Sequence, residues 1–160
     1  MKGNHKAPQN TISKSNLLCT KGKPDLNLIW KTIQEEARQI SSSEHRLTTL
    51  IEDIFISRNS IACSVAARLS RKLAREDMTR DELLPLLEEI LVDHPELVSS
   101  MVSDLIAINE RDPACHSLTQ PLLYYKGFLA LATYRLGHRM WKNNRHDLAY
   151  YFQSLASEVF

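Results

Sequence analysis

Apolar residues recur every three or four positions from Pro24 to Phe160, which is the spacing of one face of an α-helix. Asp25 and Ser60 can cap the first and third of these helices, because a short polar side chain accepts a backbone N–H there. The first three predicted apolar faces are Leu26, Ile29, Trp30, Ile33, Ala37 and Ile40; Leu47, Leu50, Ile51, Ile54 and Phe55; and Ile61, Val65, Ala66, Leu69 and Leu73. Since each face covers one side only, we expect these helices to share a core.

Four more helices are predicted in the second half of the chain. Thr79 and Glu82 have the spacing of a capping box, and Pro85 then requires either a later helix start or a distorted first turn. Pro121 fits the first turn of one long helix that reaches Trp141. The other boundaries are marked by Asp93–Glu96, Asp112–Pro113, Asn143–Asn144 and Arg145. With no strand pattern, the prediction is an all-α bundle of about seven helices.

Composition supports one globular domain preceded by a tail. The chain has 160 residues, 43% of them hydrophobic, which is enough for a real core. Residues 1–24 contain five lysines, no acidic residue and no apolar period, so they are predicted to be a disordered tail ahead of a helical domain at 25–160. No apolar run is long enough to span a membrane, and three cysteines without metal spacing favour the cytoplasm.

The residues alone offer little catalytic chemistry. Four scattered glycines exclude a phosphate-binding loop, and no histidine has the spacing of a nucleophile pair or a metal site. Arg68, Arg71, Lys72 and Arg75 share one side of the third helix, as either a solvent-exposed face or a patch for an anionic partner. These features do not predict nucleic-acid binding. Asp112 can cap a short helix that begins at Pro113 or hold a cationic ligand.

Several motifs resemble the N-terminal helical domain of serine acetyltransferases. Residues 121–138 resemble that family's PLLYLKGFHALQxYRIxH segment, and Arg111–Ala114 matches its RDPA motif. Trp30 and Glu36 fit the WxxIxxEA pattern of its opening helix. The matching positions that flank these motifs are Asp104, Ala107, Trp141, Arg145, Leu148 and Ala149. The resemblance covers roughly residues 26–160.

The same comparison shows departures from the family pattern. Leu129 stands where the family has a histidine, and Glu44–His45 stands where it has Glu-Pro. Arg58–Ala62 replaces its His-x-x-Leu-Gly stretch. We expect these changes to affect local packing and subunit contacts more than the fold.

The resemblance implies a reaction in which L-serine and acetyl-CoA give O-acetyl-L-serine and CoA, within cysteine biosynthesis. The family's general base lies on a hexapeptide-repeat β-helix, for which this chain shows no repeat, so no catalytic residue and no bound cofactor are assigned to it. The resemblance does assign Asp112 to the L-serine site. It also implies a homo-oligomer joined through the helical domains, for which the stripes at Trp30, Phe55, Leu73 and Leu131 offer apolar surface.

Two other interpretations remain open. The chain ends on Val159–Phe160, which we expect to continue into the β-helix; if it does not, the chain is a stand-alone oligomerisation or regulatory module that mixes with a full-length serine acetyltransferase. Alternatively, the lysine-rich tail and the Arg68–Arg75 face bind an anionic partner unrelated to this reaction.

Overall fold

A computed structural model describes residues 24–160 and shows a helical bundle, as predicted. The tail predicted for residues 1–24 lies outside this region, apart from Pro24. No residue from 24 to 160 belongs to a β-strand. The helices are α1 (Leu26–Ser43), α2 (Thr48–Ile51), α3 (Ile61–Leu73), α4 (Arg80–Asp93), α5 (Pro95–Arg111), α6 (Thr119–Tyr124), α7 (Lys126–Lys142) and α8 (His146–Val159).

The helix count is eight in the described region, because the predicted long helix is two helices. Tyr125 has φ −83° and ψ 105°, an extended conformation that ends α6 and begins α7. The second predicted helix is also less regular than expected. A 3₁₀ turn at His45–Leu47 precedes α2, and a π-helical stretch at Glu52–Ile56 follows it.

Most predicted helix ends are confirmed. The Asp25 carboxylate accepts the Asn27 N–H at 3.0 Å, and Ser60 Oγ accepts the Cys63 N–H at 3.2 Å. Asn144 has φ 58°, the left-handed conformation that Asn tolerates after a helix. The later start proposed for the fourth helix is wrong, since α4 begins at Arg80 and contains Pro85.

The core runs through the whole bundle. The predicted face of α3 is buried, and that of α1 is buried at Ile29, Ile33 and Ala37 and partly buried elsewhere. Helix α7 packs against α8, since Phe152 Cβ lies 3.7 Å from where a Cβ on Gly137 would stand. Phe55 and Leu73 are fully buried within the chain, so the expectation that they face a partner is wrong. Within residues 24–160, no helix combines the length and apolarity needed to cross a membrane.

Candidate functional site

The Asp112 carboxylate organises the turn that follows α5. Its Oδ1 accepts the Ala114 N–H at 2.9 Å, while the Asp112 carbonyl accepts the Cys115 N–H at 3.0 Å. The Asp112 N–H donates to the Ile108 carbonyl at 2.9 Å, and Asp112 is the C-cap residue of α5. The prediction that it caps a helix beginning at Pro113 is wrong, because the next helix starts at Thr119.

The break between α6 and α7 lies beside this turn. Desolvation raises the pKa of the Tyr125 hydroxyl, and so do the charge and hydrogen bonding of its neighbours Cys115 and Asp112. The phenol therefore stays protonated at neutral pH and can donate a hydrogen bond toward the carboxylate. Cys115 is buried and its thiol donates to the Ser117 carbonyl at 3.3 Å, so it serves packing rather than reactivity.

Glu36 of α1 fixes the start of α6 and so the far end of this turn. Its carboxylate accepts the Leu118 N–H at 3.2 Å and the Thr119 N–H at 2.9 Å. These are donors that a helix N-terminus otherwise leaves unpaired. Burial raises the pKa of Glu36, although the two backbone hydrogen bonds work in the opposite direction. The sequence motif that contains Glu36 gives no indication of this role.

The geometry suits recognition of a cation more than catalysis. The Asp112 carboxylate is half-buried, whereas Pro113 and Ala114 are exposed, so the turn presents one fixed anionic group at the surface. A carboxylate held in this way can accept charge-assisted hydrogen bonds from an ammonium group. The described residues contain no group of three or more His, Cys, Asp or Glu placed to hold a metal ion.

Two histidines, one on α7 and one on α8, pack against aromatic rings. His138 stacks on Tyr134 at a centroid distance of 6.0 Å, and His146 lies against Trp141 at 4.2 Å. His138 and both aromatic rings line a groove between α7 and α8 with a volume of about 460 Å³. Tyr134, Trp141 and Tyr150 are large exposed side chains at this groove, so the groove presents apolar surface to solvent.

The basic face predicted on α3 is not one surface. Arg68 is only 8% exposed, and its Nη2 donates to the Leu123 carbonyl. Arg71 pairs with Asp53 at 3.0 Å, and Arg75 lies 3.9 Å from Glu158. The prediction of a solvent-exposed face is therefore wrong for Arg68, because α6 packs over that side of α3.

A cluster of arginines surrounds Asp53 and was not predicted from the sequence. The carboxylate contacts Arg80 at 2.6 Å, Arg58 at 2.9 Å and Arg71 at 3.0 Å, and so joins the π-helical stretch to α3 and α4. Burial works to raise the pKa of Asp53, but hydrogen bonds and charge from Arg80, then from Arg71 and Arg58, outweigh it and lower that pKa. Arg58, which departs from the family pattern, is the sequence feature that could have indicated this cluster.

Comparison with known proteins gives consistent matches. The sequence profile of the serine acetyltransferase N-terminal domain matches residues 29–133. Probable serine acetyltransferase 4 of Oryza sativa subsp. japonica is 38% identical over 133 residues, covering 82% of this chain and 42% of the relative. A solved soybean serine acetyltransferase in complex with serine is 34% identical with a TM-score of 0.81, covering 84% of this chain and 55% of that one.

A further solved structure, a serine acetyltransferase in complex with CoA, is 30% identical with a TM-score of 0.81. The match covers 84% of this chain and 57% of that chain. The chain thus spans about half the length of the relatives it matches, and the match includes the helices around the Asp112 turn. The chain belongs to the serine acetyltransferase family, through that family's N-terminal helical domain.

Proposed function

We propose that this chain acts as the N-terminal part of a serine O-acetyltransferase and that Asp112 binds the ammonium group of L-serine in the assembled enzyme. The observation that carries the proposal is the exposed turn in which the Ala114 N–H fixes one oxygen of a half-buried carboxylate. A pre-positioned carboxylate loses little entropy when it binds an ammonium group.

The chain's own residues contribute binding and orientation to this reaction. Asp112 would hold the amino end of serine, and the protonated Tyr125 hydroxyl would keep the carboxylate oriented toward it. The serine hydroxyl then attacks the thioester carbonyl of acetyl-CoA, releasing CoA and giving O-acetyl-L-serine. The base that accepts the serine proton is not among the residues described, and no contact with acetyl-CoA is assigned to them.

A chimera tests the role of Asp112. Residues 25–160 are joined to the C-terminal part of a solved relative, and CoA thiol release is measured against L-serine and acetyl-CoA. In Asp112→Asn we expect KM for serine to rise by about tenfold, the worth of one charge-assisted hydrogen bond, with KM for acetyl-CoA unchanged. Glu110→Gln, an exposed neighbour on α5, is the control. An active chimera with an unchanged serine KM in Asp112→Asn excludes the role.

We also propose that the chain self-associates through the α7–α8 groove. Phe55 and Leu73 are unavailable, but Leu131 and the groove's aromatic side chains remain exposed. Apolar surface of this kind commonly marks an interface between subunits.

The free thiols of Cys63 and Cys115 support a location in the reducing cytoplasm, which cell fractionation tests.

A further inference from the structure

Arg68 is a buried cation that the described residues do not neutralise. It is 8% exposed, its Nη2 donates to the Leu123 carbonyl, and its Nε is enclosed with no hydrogen-bond partner within residues 24–160. No described carboxylate lies within 4.0 Å of this guanidinium, whereas Arg71 on the same helix pairs with Asp53. Burying a charge without a counter-ion is costly, so this arrangement favours an additional anion.

Two lysines add positive charge near Arg68, at the corner of the bundle between α3 and the α6–α7 break. Lys72 lies one turn after Arg68 on α3, and Lys126 follows the Leu123 that Arg68 contacts by three residues. Neither lysine forms an ion pair with a described carboxylate. Desolvation lowers the pKa of Lys72, and the charges of Arg68 and Lys126 lower it further, so the three cations lie near enough to repel one another.

The N-terminus of α7 lies at this corner. Its cap residue Tyr125 provides no side-chain hydrogen bond, and the first turn has no acidic residue. The N–H groups of residues 126–128 donate to no other group in the described part of the chain. Nothing lies within 4 Å of where a Cβ on Gly127 would stand, so the backbone there can be reached from solvent.

We propose that the corner between α3 and the α6–α7 break is a binding site for a phosphate-class oxyanion. Free N–H groups at the positive end of a helix bind tetrahedral anions, and Arg68, Lys72 and Lys126 supply complementary charge. The Asp112 carboxylate is a neighbour of the Tyr125 hydroxyl and suits a cation, so the two sites take ligands of opposite sign. This site stands apart from the serine site and does not depend on it.

Titration of the ¹⁵N-labelled chain with inorganic phosphate, followed by NMR, tests the site. We expect saturable shifts of the amide signals of residues 126–128, and no such saturation with sodium chloride at matched ionic strength. Arg68→Met and Lys72→Gln should each weaken phosphate binding by about tenfold, since each removes one charged contact. Lys142→Gln, an exposed lysine at the other end of α7, is the matched control and should bind as the parent chain does.

The outcomes separate clearly. Equal shifts with chloride, or phosphate binding unchanged in Lys72→Gln and Arg68→Met, would overturn the proposal. If Arg68→Met does not fold, the exposed Lys72→Gln variant decides the question by itself. Sulfate saturating the same amide signals would support recognition of a tetrahedral oxyanion rather than of one particular metabolite.

Discussion

Leu129 shows how one residue can adapt to a position that usually carries another. The family pattern has a histidine there, yet in this chain the side chain is 2% exposed and belongs to the core. The carbonyl of Leu129 accepts the Thr133 hydroxyl at 2.8 Å, so the hydroxyl one turn further along α7 is already paired. Leucine therefore fits this packing without any polar partner.

Leu129→His should destabilise the fold. Burying an imidazole without a hydrogen-bond partner costs about 1–3 kcal/mol in the free energy of unfolding, which urea denaturation measures. The loss should grow as the pH falls below about 6.5, because burial disfavours the charged form that the unfolded chain adopts. Leu131→His, two residues along α7 and 40% exposed, is the control and should change stability far less. Equal losses in both variants would contradict the packing argument.

Asp53 acts at the scale of elements, since its three arginine partners come from the segment after the π-helical stretch, from α3 and from α4. No local pattern in the sequence brings these four side chains together. The cluster explains how an irregular segment is held against two regular helices. Arg58 also lies 3.6 Å from Glu88, which adds a second contact to α4.

Asp53→Asn should lower the free energy of unfolding at neutral pH by about 2 kcal/mol, the worth of hydrogen bonds to charged groups. Because the arginines lower the pKa of Asp53, the stabilisation is present above the unfolded value near 3.8 and is lost as the pH falls through the folded pKa. The difference between parent and variant should therefore shrink below about pH 4 in acid-unfolding curves. Glu52→Gln is the exposed control; a pH-independent difference for Asp53→Asn would contradict the assignment.

Glu36→Ala tests the contact between α1 and α6. The change leaves the Leu118 and Thr119 N–H groups without their acceptor, and we expect a loss of about 1–3 kcal/mol in unfolding free energy. Hydrogen exchange at these two amides should accelerate more than at α3. Glu35→Ala removes an exposed carboxylate from the preceding position. It should leave the unfolding free energy and the exchange rates of the two amides near those of the parent chain. Unchanged exchange at Thr119 would contradict the capping role.

At the scale of the whole molecule, exposed apolar surface concentrates at two places. One is the α7–α8 groove with Tyr134, Trp141 and Tyr150, and the other is a smaller cavity of about 290 Å³ between α1 and the α4–α5 turn, where Val92 is exposed. Trp141 also contacts Tyr150 edge to face at 5.3 Å, so the larger surface has an ordered aromatic centre. Rigid aromatic side chains of this kind are typical of interface centres.

Trp141→Glu should therefore shift self-association toward the monomer in sedimentation velocity measured over a range of concentrations. The physical reason is the cost of burying a charge where an aromatic ring would be buried. Val92→Glu, on the smaller surface, should leave the distribution unchanged. A chain that sediments as a monomer at every concentration would contradict the assembly proposal itself, and equal effects of the two variants would contradict the choice of groove.

Much of the element structure could be predicted because it depends on neighbours in the chain. The buried faces of α1 and α3 follow from a period of 3.6 residues, and the caps at Asp25 and Ser60 need only a side chain and an N–H two or three positions away. The break at Tyr125 was missed because apolar periodicity continues across it. Nothing in the local pattern distinguishes one long helix from two that are separated by an extended residue.

The helical class, most helix ends and the family could be predicted from the sequence, since each depends on local spacing or on motifs. The pairing of polar side chains, by contrast, became visible in the folded structure alone. Arg68 and Arg71 look equivalent on α3, yet one is buried against α6 and the other pairs with Asp53. The physical reason is that burial and charge pairing depend on residues far apart in the chain, and the packing of whole helices sets their distances.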